Sequence, residues 1–165
     1  MSRYTGRKVK KSMSRYTGRK VKKLNKIATA SDGMLAEDMI VYKKAVYKHG
    51  YTWKHCIVKL LIPKNAKVCN RGTNNKAFEV YDAIYVTEKC RADKAKVLDI
   101  QDMSGKHLKF AYSMYERFSK KAKKLIRTRY WVGCMVYPDS YDANPWNTCS
   151  NGIHFFVTRE EAKQY

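Results

Sequence analysis

Ten residues, SRYTGRKVKK, stand at 2–11 and again unchanged at 14–23, each copy preceded by a methionine. Five cations in each copy, with Lys26, make eleven basic residues in the first 26, and no acid lies among them. Such a segment has too little apolar surface to offset the entropy of ordering it, and its like charges repel one another. Gly6 and Gly18 interrupt any helix that would run through it. Residues 1–26 are therefore expected to stay outside the core as an arm that orders only on an anionic partner. The competing reading is a duplicated start region whose second copy has no function of its own.

The core must come from the rest of the chain. Small residues at 28–33 mark 27–40 as a linker, and 41–165 is then the right length for one domain. Apolar residues make up 44% of the sequence, enough to bury. Runs at 39–47 and 56–62 read as two strands of a hairpin around Lys48, His49 and Gly50, against a competing helix at 34–46. Further strands are expected at 78–86, 95–100 and 107–112. A final strand pair is expected at 130–137 and 152–157. Around the lysine-rich segment 115–127, Met114, Phe118, Ala122 and Leu125 fall at helical spacing among Arg117, Lys120, Lys121, Lys123, Lys124 and Arg127, which reads as a basic amphipathic helix. Thr158 and Glu161 have capping-box spacing and open a short C-terminal helix. The expected fold class is α+β: a single domain with a mainly antiparallel sheet, one basic amphipathic helix, a short C-terminal helix and a basic N-terminal arm that is disordered until bound.

The charge narrows the partners. With 35 Lys and Arg against 14 Asp and Glu, the net charge is +21, of which +10 belongs to the chain after residue 26. That excess calls for a polyanion, nucleic acid foremost. The candidate nucleic-acid-binding residues are Arg3, Arg7, Lys8, Lys10, Lys11, Arg15, Arg19, Lys20, Lys22 and Lys23 in the arm, and Lys120, Lys121, Lys123, Lys124 and Arg127 in the helix. Each phosphate neutralised releases counterions, and Tyr4 and Tyr16 can stack on exposed bases. No apolar run reaches the length of a spanning helix, so membrane insertion is not expected. The absence of a signal peptide and five unpaired-looking cysteines point to reduced thiols in a chain that is not secreted.

Three candidate chemistries compete with binding. Cys149 and His154 could act as nucleophile and base, with Asp139 or Asp142 orienting the imidazole. Glu160 and Glu161 could serve as acid and base, although acids in a first helical turn are favoured by the helix dipole alone. Cys149 and His154 could also join Cys90, Cys134, His55 or His107 around zinc, but there is no CxxC pair. Without a phosphate loop or nucleophile elbow, no catalytic residue, metal or cofactor is expected. His154 is read as a structural residue of a central strand.

KCRADKAKVLDI at 89–100, RYWVGCMVYPDSYD at 129–142 and WNTCSNGIHFFVTREEAKQY at 146–165, with LLIPKNAKV at 60–68, resemble a domain of unknown function encoded by large DNA viruses and phages. In that family the domain often follows pentapeptide repeats. The resemblance covers roughly Val41 to the C-terminus and implies no activity. The arm and the lysine-rich 115–127 segment depart from its pattern by adding positive charge. The expected role is a non-enzymatic viral structural or genome-associated protein in the virion or the host cytoplasm or nucleus, contacting nucleic acid and other viral structural proteins. A particle component whose arm makes only protein contacts is the alternative.

Overall fold

The computed structural model describes residues 34–69, 89–119, 122–144, 147 and 149–165. The arm and the expected strand at 78–86 lie outside the described residues. The described chain carries eleven strands and one six-residue helix, and the sheets are antiparallel in every paired strand. The fold is thus predominantly β.

Two long strands form its centre. β1 (Met39–His49) and β2 (Thr52–Ile62) pair over their full length, from Met39 opposite Ile62 to His49 opposite Thr52. Gly50 and Tyr51 form the connection, and Gly50 takes a φ of 59°. Glycine in the first of two turn positions supplies the positive φ that matches the twist of the flanking strands. The competing helix at 34–46 is not adopted: Val41 and Ala45 are fully buried on one face of β1, with Lys43 between them in a period of two.

β3 (Val68–Cys69), β4 (Cys90–Ala92), β5 (Ala95–Asp102), β6 (Phe110–Tyr112), β9 (Arg129–Trp131), β10 (Met135–Val136) and β11 (Ile153–Phe155) build outward from the hairpin. The main sheet runs in the order β10-β5-β2-β1-β6-β9, and a second, smaller sheet in the order β11-β4-β3. The core fills the space between them: Cys56, Val58, Leu60, Val97, Ala111 and Tyr130 from the main sheet meet Ala92, Ile153 and Phe155. Leu35, ahead of β1 in the stretch read as linker, is buried in the same cluster.

Three expectations are corrected here. The described parts of 115–127 form no helix. β7 (Arg117–Ser119) and β8 (Lys124–Ile126) pair as a hairpin, Phe118 opposite Leu125. The apolar stripe that suggested a helix is not buried, since Phe118 is 63% and Leu125 61% exposed. Lys123 at a φ of 50° and Ala122, whose N–H is capped by the Ser119 hydroxyl, belong to the turn. The α+β assignment falls with that helix, because among the described residues only α1 (Arg159–Gln164) remains. The segment 130–137 is likewise broken, Gly133 turning the chain at a φ of 85° so that β9 joins β6 and β10 joins β5. Neither pairs with β11, which lies against β4.

The C-terminal segment is built as its pattern suggests. Ile153 and Phe155 face the main core while Phe156 packs with Ile57, Ala162 and Tyr42 in a second cluster. Thr158 Oγ1 accepts from the Glu161 N–H, and Glu161 Oε2 accepts from the Thr158 N–H, closing the capping box. Gly152 lets β11 approach β4: at its φ of 143°, an added Cβ would lie 3.2 Å from Arg91 Cβ. Arg91 is 3% exposed, and its guanidinium donates to the carbonyls of Asp142, Asn144 and Asn147, which ties the loop before β11 to β4.

Candidate nucleic-acid interface and a basic cavity

The main sheet has one face on the core, and its other face is covered by Phe156 and α1 at Tyr42 and Ile57 and is open along β6 and β9. Across β6 and β9, Ala111 and Tyr130 point inward and are buried, so Phe110, Tyr112, Arg129 and Trp131 fall on the outer face. Tyr112 stands opposite Val46 of β1, whose other partner is His55, two residues from Trp53. A continuous aromatic row results. Trp53 meets Tyr112 edge-on at 5.4 Å, Tyr112 meets Phe110 at 5.6 Å, and Phe110 lies tilted over Trp131 at 4.6 Å. Trp53 is 48% and Trp131 45% exposed, so rings of this size stand open to solvent. The Arg127 guanidinium covers the Trp53 ring at 5.1 Å.

A cavity of about 460 Å³ opens elsewhere along β1. That strand bonds to β6 at Val46, and at Tyr42 it exchanges both backbone hydrogen bonds with Phe156. The two neighbours diverge between these points, and the gap beside Lys43 and Lys44 is the cavity. Lys89, Arg117, Tyr130, Cys149, His154 and Tyr165 also line it. Lys43 Nζ donates to the His154 carbonyl at 2.9 Å, and Lys89 Nζ donates to the Tyr165 hydroxyl at 3.1 Å. Burial, then the charge of Lys89, lowers the Lys43 pKa to about 8. Burial likewise pushes His154 down to about 3, with Lys43, Lys89 and Arg91 adding to it, so its imidazole is neutral. His154 Nε2 and Arg117 Nε are buried with no hydrogen-bond partner among the described residues.

Most of the sequence-predicted site residues are not brought together by the described structure. Arg3, Arg7, Lys8, Lys10, Lys11, Arg15, Arg19, Lys20, Lys22 and Lys23, with Lys120 and Lys121, lie outside the described residues. Lys123 and Lys124 are exposed on the β7–β8 hairpin. Arg127 is tied into the fold by bonds to the Ser113 and Met114 carbonyls and a 3.5 Å pair with Glu116. Cys149 and His154 do line one cavity, but the carboxylates suggested as orienters are engaged elsewhere. Asp139 pairs with Arg117 at 3.1 Å, and Asp142 accepts from the Asn144 N–H and the Asn147 amide. Glu161 is held in the cap. No group of three metal-ligating side chains occurs among the described residues.

The aromatic row was missed in the sequence, although Phe110 and Tyr112 alternating about Ala111 are its local signal. The cavity cations had none, since Lys43, Lys89 and Arg117 come from three separate segments. Residues 25–162 match a family of unknown function, DUF5758. The chain belongs to this family. The match reaches back over the segment that holds Leu35 and stops within α1. No curated protein and no solved structure matches the chain. Among the described residues no helix is long and apolar enough to cross a membrane.

Proposed function

We propose that this DUF5758 protein is a non-enzymatic nucleic-acid-binding protein that takes a single strand on the outer face of its main sheet, with the basic arm holding the phosphate backbone. The supporting observation is the row Trp53, Tyr112, Phe110 and Trp131 standing half open beside Arg127 and Arg129. Bases stack on such rings whatever their sequence, and nearby cations attract the backbone. A net charge of +21 supplies the long-range attraction. On this reading the protein is a structural or genome-associated component of a large DNA virus or phage, of the kind whose relatives follow pentapeptide repeats. It acts in the virion or the host cytoplasm or nucleus beside other structural proteins.

Fluorescence anisotropy with a labelled single strand and with duplex of the same length tests the proposal on the full chain. Trp131→Ala and Trp53→Ala should each weaken single-strand binding by about 1–3 kcal/mol, roughly 5- to 150-fold. Duplex binding should change less. Equal affinities for parent and variants would dismiss the stacking face. One observation favours a second reading, protein contact within a particle: Phe118 and Leu125 form an exposed apolar pair on the β7–β8 hairpin.

A further inference from the structure

We propose that the cavity beside β1 is a binding site for a phosphate monoester of mononucleotide size, separate from the aromatic row and independent of whether that row binds nucleic acid. The two have no residue in common, since Trp53, Phe110, Tyr112 and Trp131 do not line the cavity.

Its volume of about 460 Å³ lies within the range of small-ligand pockets. The lining carries the cationic side chains of Lys43, Lys44, Lys89 and Arg117 against one acidic side chain, Glu116. Lys43 is buried, and the nearby charge of Lys89 adds to the cost of keeping its ammonium there. An anion between them reverses that cost. Lys43 commits one proton to the His154 carbonyl and has others to give, while Lys89 commits two, to the Tyr165 hydroxyl and to Cys149 Sγ, and has one left. Arg117 uses Nη2 on Asp139 while its Nε is buried and unpartnered among the described residues.

His154 completes the set. A neutral imidazole adds no charge to the crowd of cations, and its unpartnered Nε2 can donate to a phosphate oxygen when the proton sits there. Fully buried polar nitrogens left without partners are costly, so two in one cavity point to a ligand that accepts from both. Tyr130, Phe156 and Tyr165 give the rest of the lining an aromatic character suited to the organic part of the ester.

Isothermal titration calorimetry of the full chain with adenosine 5′-monophosphate, adenosine and inorganic phosphate tests this. The monophosphate should bind, adenosine should bind at least tenfold more weakly, and inorganic phosphate should compete. Lys89→Gln and Arg117→Gln should each weaken the monophosphate about tenfold or more, as expected for the loss of a charge-assisted hydrogen bond, while Trp131→Ala leaves it unchanged. A 5′-phosphorylated oligonucleotide that competes better than its 5′-hydroxyl counterpart would assign the monoester to a strand end, and equal competition would assign it to a free small molecule. On the parent protein, saturating monophosphate should slow iodoacetamide labelling of Cys149, which lines the cavity, and spare Cys134, which is also exposed but lies outside it. This readout needs no variant to fold. Absence of heat with unchanged Cys149 labelling, or loss of monophosphate binding in Trp131→Ala, would overturn the proposal.

Discussion

Phe155 and His154 are neighbours on β11 with opposite fates. Phe155 is fully buried in the main core, so Phe155→Ala should cost about 3–5 kcal/mol in urea unfolding. His154 faces the cavity, and its pH behaviour follows from the direction of its shift. Its folded pKa of about 3 lies below the ordinary 6.5. As pH falls below about 6.5 the unfolded chain takes up this proton first, so stability declines until about 3 and the contribution then levels off. His154→Gln should therefore flatten the dependence of Tm on pH between about 6.5 and 4 while melting near the parent at pH 7. Asp142 acts at a lower range. Hydrogen bonds, first from Ser150 and then from Asn144 and Asn147, hold it at about 2, so its contribution is present above the ordinary carboxylate range and is lost as pH falls toward 2. A His154→Gln variant with an unaltered Tm profile from pH 6.5 to 4 would mean that the imidazole is solvated.

At the scale of elements, the β7–β8 hairpin separates what the residues could say from what they could not. Its apolar positions Phe118, Ala122 and Leu125 fit a helical period, and the two short strands across a turn reproduce the same spacing by accident. Lys123 carries the distinction. A non-glycine residue at a φ of 50° costs about 1–2 kcal/mol, so Lys123→Gly should stabilise the fold by a few tenths to about 1 kcal/mol. In a helix the same change would cost about 1 kcal/mol. Chemical denaturation reads the sign directly. The β1–β2 hairpin, apart from the residues 52–55 that β2 adds to the expected run, and the α1 cap were legible because their signals are local: a Gly between two β-rich runs, and Thr and Glu three apart. The pairing of β9 with β6, of β10 with β5 and of β11 with β4 was not, because each depends on a partner far away in the chain. The cavity is assembled from those same distant pairings, which is why Cys149 and His154 could be named together while Lys43, Lys89 and Arg117 could not.

Across the whole molecule, the proposed function has charge set the approach and the sheet set the contact. Removing residues 1–26 takes away eleven of the 35 cations, so the slope of log K against log salt should flatten by about 0.7 for each single-strand phosphate that the arm would have neutralised. An unchanged slope in a salt titration would remove the arm from the interface. The long central hairpin has a further consequence, which concerns time. β1 and β2 meet through a two-residue turn and pair along eleven residues each, so they can zip together at little loop-closure cost. β11 must instead find β4, some 60 residues earlier, and then seat Phe156 on Tyr42. The hairpin is thus expected to form early on the folding path and the C-terminal strand late. Changes in the buried face of β2, such as Val58→Ala, should then slow refolding, whereas Ile153→Ala should mainly speed unfolding. The last segment of this chain would be a latch: the element whose release opens both the core and the cavity, and whose docking rate determines how long a newly made molecule waits before either is closed.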